Sequence, residues 1–430
     1  MLDKIFKLNE HNSSIKQEFI AGITTFLTMA YIIFINPAML ADAGMDRDAV
    51  FVATCLAAAI GCFVMGFIAN YPIALAPGMG LNAFFTYTVV LEMGYSWQIA
   101  LGGVFISGLV FIILSLFNIR EWIINSIPHS LRYGIAAGIG LFLAFIALKS
   151  AGFIAQSPAT FVTLGDLKQI EPILACVGLF IIVGLVNKGV NGAVMISILA
   201  ITLIGLLIGD ISYQGVMSAP PSIMPTFAQL DIAGALSVGM VSVIFAFLFV
   251  DLFDTSGTLI AVAQRGNLLD RKGNFPRLGK ALLADSSATV AGSFLGTSTT
   301  TSYVESTAGV SAGGRTGLTA VFVGIFFLLS LLFSPLAAMI PAYATAGPLF
   351  YVAVLMLSGL ININWEDLSE AVPVTIVCVT MPLTFSIAHG IAFGFISYVA
   401  VRIFSGQFKQ LNLSVIALAS LFIIKFAFFA

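Results

Sequence analysis

GTSTTTSYVESTAGVSAGG, residues 296–314, is immersed in apolar sequence yet broken by glycines, threonines and serines, and it carries one carboxylate, Glu305. A second stretch, NYPIALAPGMGLNAFF at 70–85, is interrupted in the same way by Pro and Gly and carries Asn82. Each is the third hydrophobic unit of its half of the chain. The halves meet at loop 210–232, which holds Pro220, Pro221 and Pro225 and no Lys or Arg. Non-helical backbone is tolerated at membrane depth only where protein or a water-filled cavity covers it. Short, Gly/Pro-interrupted segments at corresponding places in two halves are the sequence mark of a binding site near the bilayer midplane.

The composition around these stretches admits no soluble fold. The chain has 430 residues, 59% hydrophobic and 9% charged, with a mean hydropathy of +1.06, against about 25% charged in an average soluble domain. A net charge of −2 offers no footprint for nucleic acid. The four cysteines (Cys55, Cys62, Cys176, Cys378) stand singly in apolar runs with no CxxC, so they read as small buried hydrophobes and neither a metal site nor a disulfide frame. No Walker motif is present, so transport would not be driven by ATP in this chain, and no cofactor is implied.

Apolar stretches of spanning length, roughly 20 residues, recur near 19–39, 49–69, 97–117, 132–151, 171–187, 191–209, 234–263, 281–295, 316–335, 342–360, 371–387 and 389–404. Counted with the two interrupted segments, they predict an all-α polytopic membrane protein of about 14 transmembrane segments. Seven per half is an odd number, which makes the halves two inverted repeats. A further stretch, 411–429, is left as a full or a half-embedded span. The polar first fifteen residues carry no small-residue cleavage site, so the first span is expected to serve as the insertion signal. Lys4, Lys7, Lys16, Arg120, Arg132, Lys188, Arg265, Arg271, Lys272, Arg277, Lys280, Arg402 and Lys409 fall on one side, against Arg47, Lys149 and Lys168 on the other. That bias predicts a cytoplasmic N-terminus.

Four acids lie where acids are expensive: Asp251 and Asp254 in VIFAFLFVDLFDTSGTLIAVA (243–263), Asp285 in KALLADSSATVAG (280–292), and Glu305. Asp251 and Asp254 share one helix face a turn apart, and two close carboxylates in a dry place should not both ionise. Asp251 or Asp254 is therefore a candidate proton carrier. The bland reading is that Asp254, followed by Thr255 and Ser256, caps a helix start. Glu305 has no basic residue within nine positions and sits among hydroxyls that include Thr300. An isolated acid in that setting suits a neutral, hydrogen-bonding ligand better than an anion. Asn82 can both donate and accept, and Phe84 beside it offers a face to a flat ring, although core packing is the default for any one of 38 phenylalanines. GIAAGIG (134–140) reads as a site of close helix packing. His11, His129 and His389 receive no role, His389 being read as a hairpin residue between short spans.

EFIAGITTFLTMAYIIFINPAML (18–40), ALAPGMGLNAFF (74–85), FLFVDLFDTSGTL (247–259), GTSTTTSYVESTAGVSAGGRTGLTA (296–320) and MPLTFSIAHGIAFGFISYV (381–399) resemble the purine permeases of the AzgA-like branch of the nucleobase–ascorbate transporter family. The resemblance covers essentially the whole chain. It implies core and gate domains, short extended breaks in segments three and ten, and proton symport of adenine, guanine or hypoxanthine across a bacterial inner (plasma) membrane. Laid on this sequence, that organisation gives a cytoplasmic tail at 1–17, core halves at 18–119 and 216–335, and gate halves at 120–215 and 336–430. It implies substrate binding by Asn82, Asp251 and Glu305, with Asp254 needed for transport. Dimerisation, suggested by relatives, leaves no mark in the residues. The competing readings are a transporter of xanthine, uracil or a small anion on the same fold, and an intramembrane aspartyl hydrolase. The hydrolase would need paired aspartates from different helices and a GxGD run, which the chain lacks.

Overall fold

A computed structural model describes residues 2–116, 128–266, 268 and 275–428. Arg120, Arg271 and Lys272, counted above for orientation, lie outside the described residues, as do Met1 and the end of the 411–429 stretch. The first half runs α1 Leu2–Phe6, α2 Ile15–Met29, α3 Ile32–Asp42, α4 Arg47–Val64, β1 Leu75–Pro77, α5 Met79–Ala83, α6 Trp97–Leu116, α7 His129–Ser150, the hairpin β2 Ile154–Ser157 with β3 Phe161–Leu164, α8 Ile170–Asn187 and α9 Ala193–Leu207. After the central loop come α10 Ile232–Ala235, α11 Val238–Arg265, α12 Leu278–Leu295, β4 Thr300–Ser302, α13 Ser306–Ser311, α14 Gly317–Ser330 and α15 Ser334–Met339. The chain closes with α16 Ala342–Leu357, α17 Leu368–Leu383, α18 Ile387–Phe404 and α19 Leu413–Phe428. Among the described residues nine helical stretches are long and apolar enough to cross a membrane, and 193–207, 368–383 and 413–424 are shorter apolar helices. The protein is a mostly helical, polytopic membrane protein.

Local chemistry sets several helix ends. Asp46 accepts from the Ala49 N–H (2.8 Å) at the start of α4, and Asp367 from the Ser369 N–H (2.9 Å) at the start of α17, each satisfying a donor the first turn leaves open. Between α2 and α3 the helix breaks at Ala30–Tyr31, and Pro37 removes a further N–H inside α3. Two π-helical turns, Met65–Ala69 and Phe84–Glu92, follow α4 and α5.

Both interrupted segments contain an extended break, and the breaks pair with each other. β1 and β4 run antiparallel with Leu75 opposite Ser302, Ala76 opposite Thr301 and Pro77 opposite Thr300. Just beyond them Gly78 N–H donates to Thr299 O (2.9 Å) and Tyr303 N–H to Ala74 O (3.0 Å). Backbone groups that a broken helix would orphan in the membrane are thus satisfied by the opposite half of the chain.

Small residues let the surrounding helices close in. Across 134–140, a Cβ on Gly138 would meet Met381 Sδ at 2.7 Å, and one on Gly140 would meet Met356 Cβ at 2.9 Å, so α7 packs tightly on α16 and α17 as GIAAGIG implies. A Cβ on Gly66 would lie 2.6 Å from the Gly317 carbonyl oxygen. Gly66→Val should therefore destabilise the protein by about 1–3 kcal/mol, read as a lower unfolding temperature in detergent; an unchanged temperature would show that the two backbones can separate freely.

Three local expectations change. Arg402, counted as a loop cation, lies in the last turn of α18 and is 2% exposed. Its burial is offset by Asp367 at 3.9 Å, Glu370 at 4.0 Å and hydrogen bonds to the Gln407 and Gln410 side chains. His389 sits inside α18, not in a hairpin. The first residues do not trail freely, because Phe6 and Leu8 are buried with Leu318 and Val321, and Asn70 Nδ2 donates to Phe6 O (3.0 Å).

Candidate functional site

β4 and the residues beside it organise the polar interior. Ser298 Oγ donates to Asn82 Oδ1. Asn82 is fully buried, and its Nδ2 donor has no partner among the described residues. The Thr299 and Thr300 hydroxyls are likewise buried without a partner, while Thr300 O accepts from Thr289 Oγ1 at 2.9 Å. Buried polar groups are nearly always bonded, so the open Asn82 donor marks a polar place beside the breaks, whereas Thr300 Oγ1 faces Gly292 of α12, on the other side of the strand from Thr301. Phe84 is fully buried and meets Phe247 of α11 edge-on, with ring centroids 4.9 Å apart; its ring is used in packing.

The acids stand along the same strand. α11 runs without interruption through Asp251 and Asp254, so Asp254 caps no helix start. Asp254 faces Thr301 of β4. Asp251 is 1% exposed, and Thr255 Oγ1 lies 3.4 Å from Asp251 Oδ1 and 2.9 Å from Asp285 Oδ1. One hydroxyl thus stands between two buried carboxylates, and Asp285, isolated in the sequence without a role, joins the group. Ser302 Oγ reaches Thr255 O at 3.4 Å. Glu305 precedes α13, half-buried, and accepts from the Tyr31 hydroxyl. Neither Glu305 nor Asp254 has a salt-bridge partner among the described residues. No group of three or more His, Cys, Asp and Glu among those residues is placed to hold a metal.

Asn82 and Glu305 flank the paired breaks, Thr300 lies within β4 and Asp254 faces Thr301, whereas Asp251 is joined to β4 only through Thr255, whose carbonyl oxygen meets Ser302. Several residues there were not singled out from the sequence. Tyr31 and Ser298 hold Glu305 and Asn82. Asn36 donates to Thr54 Oγ1 (2.7 Å) and Thr297 Oγ1 (2.8 Å), joining three segments. Fully buried Glu18 accepts from Ser13 Oγ (2.6 Å), Arg315 N–H (3.1 Å) and Thr319 Oγ1 (2.5 Å), fixing the start of α14. A signal existed for Asn36, an amide inside an apolar run; Glu18 at a helix start reads as an ordinary first-turn acid.

A helical membrane protein whose two halves each contribute a broken segment, and whose polar side chains gather at the crossing of those breaks, is built as a secondary transporter. Residues 16–393 match the Permease family, and the chain belongs to that family. It is 51% identical over 428 residues to "Adenine permease AdeP" of Escherichia coli (strain K12), covering 100% of this chain and 96% of that protein. It is 46% identical over 435 residues to "Guanine/hypoxanthine permease PbuG" of Bacillus subtilis (strain 168), covering 98% and 99%. The transmembrane domain of the cyanobacterial bicarbonate transporter BicA shares the fold, with a TM-score of 0.67 at 18% identity over 87% of this chain and 97% of that one. Family membership makes the chain a transporter and removes the aspartyl hydrolase alternative.

Proposed function

We propose that this protein takes up a purine nucleobase (adenine, guanine or hypoxanthine) together with a proton. The observation that carries the reading is the chemistry at the paired breaks: among the described residues Asn82 has an open donor, the Thr299 hydroxyl has no partner, and Glu305 has no salt-bridge cation. Such a set matches a neutral heterocycle that both donates and accepts hydrogen bonds. The names borne by similar proteins, an adenine permease and a guanine/hypoxanthine permease, support the same substrate class. In this proposal Glu305 and Asn82 hold the ring, Asp251 completes the binding set, Thr300 contributes through its place in the paired strand, Phe84 backs the ring, and Asp254 or Asp251 carries the proton.

The organisation proposed with it is fourteen segments in two inverted repeats of seven, a cytoplasmic N-terminus in the bacterial plasma membrane, and core halves (18–119, 216–335) that rock against gate halves (120–215, 336–430) around a fixed site. α19 is then an added helix after the fourteenth segment, with Phe422 packed near Phe245 and Phe395. The fold shared with a bicarbonate transporter keeps an anion as the second reading. Vesicles given labelled adenine, guanine, hypoxanthine, xanthine, uracil and sulfate separate the two. Purine uptake raised by an inward proton gradient is expected. Uptake of sulfate without any purine would overturn the proposal.

A further inference from the structure

Glu305 is held from the opposite half of the chain by a group the sequence did not mark. Tyr31 sits where α2 gives way to α3, is 2% exposed, and points its hydroxyl at Glu305 Oε1. The same stretch adds Thr28 Oγ1, 3.5 Å from the Glu305 carbonyl oxygen. The Tyr31 ring lies 6.5 Å from that of Tyr303, whose own hydroxyl is committed to Pro77 O at 2.6 Å. Tyr31 is thus the side-chain donor to the Glu305 carboxylate among the described residues, and it acts through a break in its own helix. A carboxylate has about four acceptor positions, so with Tyr31 on one of them most remain for the N–H groups of a ligand.

We propose that Tyr31 is a positioning residue for substrate: its hydroxyl fixes the plane of the Glu305 carboxylate and aims the remaining lone pairs at the bound ring. The proposal rests on the purine-uptake reading and deepens it. A glutamate side chain free to turn would pay rotamer entropy on each binding event, whereas one already fixed by a phenol meets the ligand in the binding geometry. Because Tyr31 acts through Glu305, its loss should appear in affinity and not in the stability of the fold, since phenylalanine keeps the ring packing.

The test measures equilibrium binding of labelled adenine and guanine to purified protein, together with KM and maximal rate in proteoliposomes. Tyr31→Phe should weaken binding and raise KM by about tenfold or more, the size of a lost hydrogen bond to a charged group, with the unfolding temperature close to wild type. p-Aminophenylalanine at position 31, which returns an N–H donor at nearly the same reach, should restore most of the affinity, and p-methylphenylalanine, of similar size without a donor, should not. Wild-type affinity in Tyr31→Phe, or equal affinity with the amino and methyl side chains, would overturn the proposal. The latter comparison also decides it if Tyr31→Phe does not fold. A wild-type protein that binds no purine would instead defeat the uptake reading itself.

Discussion

Glu305→Gln is expected to abolish purine accumulation while leaving a folded protein. A carboxylate accepts two parallel N–H bonds from one edge of a ring, and each hydrogen bond to a charged group contributes about 1.5–3 kcal/mol. The amide keeps the size of the side chain but replaces one acceptor by a donor, so one ligand N–H would face an N–H. Losing one such bond weakens binding by about 10–150-fold, and turning it into a clash of donors weakens it further. Folding should survive, because the Tyr31 hydroxyl can donate to an amide oxygen as it does to Glu305 Oε1 and because no cation among the described residues is left unpaired by the change. The check is equilibrium binding of adenine and guanine beside the unfolding temperature of the same preparation. Wild-type affinity in the Gln variant would remove Glu305 from the site.

What was legible from the residues follows a physical division. The two breaks were visible because Gly, Pro and hydroxyl residues inside an apolar run have no helical excuse, and the breaks do form strands at 75–77 and 300–302. Intramembrane carboxylates stand out for the same reason, so Asp251, Asp254 and Glu305 could be named before any geometry. Partners were not legible. Tyr31 lies 274 positions from Glu305 and Ser298 lies 216 from Asn82; nothing local to AYIIFINP or GTSTTT says which side chain will meet which across the two halves. The hairpin β2–β3 has no such signal, since its strands are four residues each and mostly exposed. Arg402 was misplaced because a cation near the end of a span reads as a loop residue until its acids, Asp367 and Glu370 on another helix, are brought beside it.

Asp254→Asn is expected to separate binding from concentration. Asp254 lies in the middle of α11, faces Thr301 of β4, and stands close enough to Glu305 for their charges to interact. Its link to β4 places it where occupancy of the paired breaks and the state of the carboxylate can sense each other. Asp251, the other candidate, is tied through Thr255 to Asp285, and this engagement is the reason to favour Asp254 as the carrier. One proton moved with each neutral purine gains about 2.3 kcal/mol per 100 mV, which at tenfold per about 1.36 kcal/mol supports roughly fiftyfold accumulation from voltage alone. An asparagine is fixed in the neutral form, so it can accompany substrate but can never release a proton. Purine should still bind and equilibrate across the membrane, while the roughly fiftyfold gradient collapses to none. Vesicles with an imposed proton gradient, followed by counterflow of labelled adenine without one, read the two properties separately. If Asp254→Asn still concentrates purine while Asp251→Asn equilibrates it, the carrier is Asp251. If both variants still respond to the gradient, neither acid of α11 carries the proton, and Glu305 is the next acid to test, with Asp285 after it.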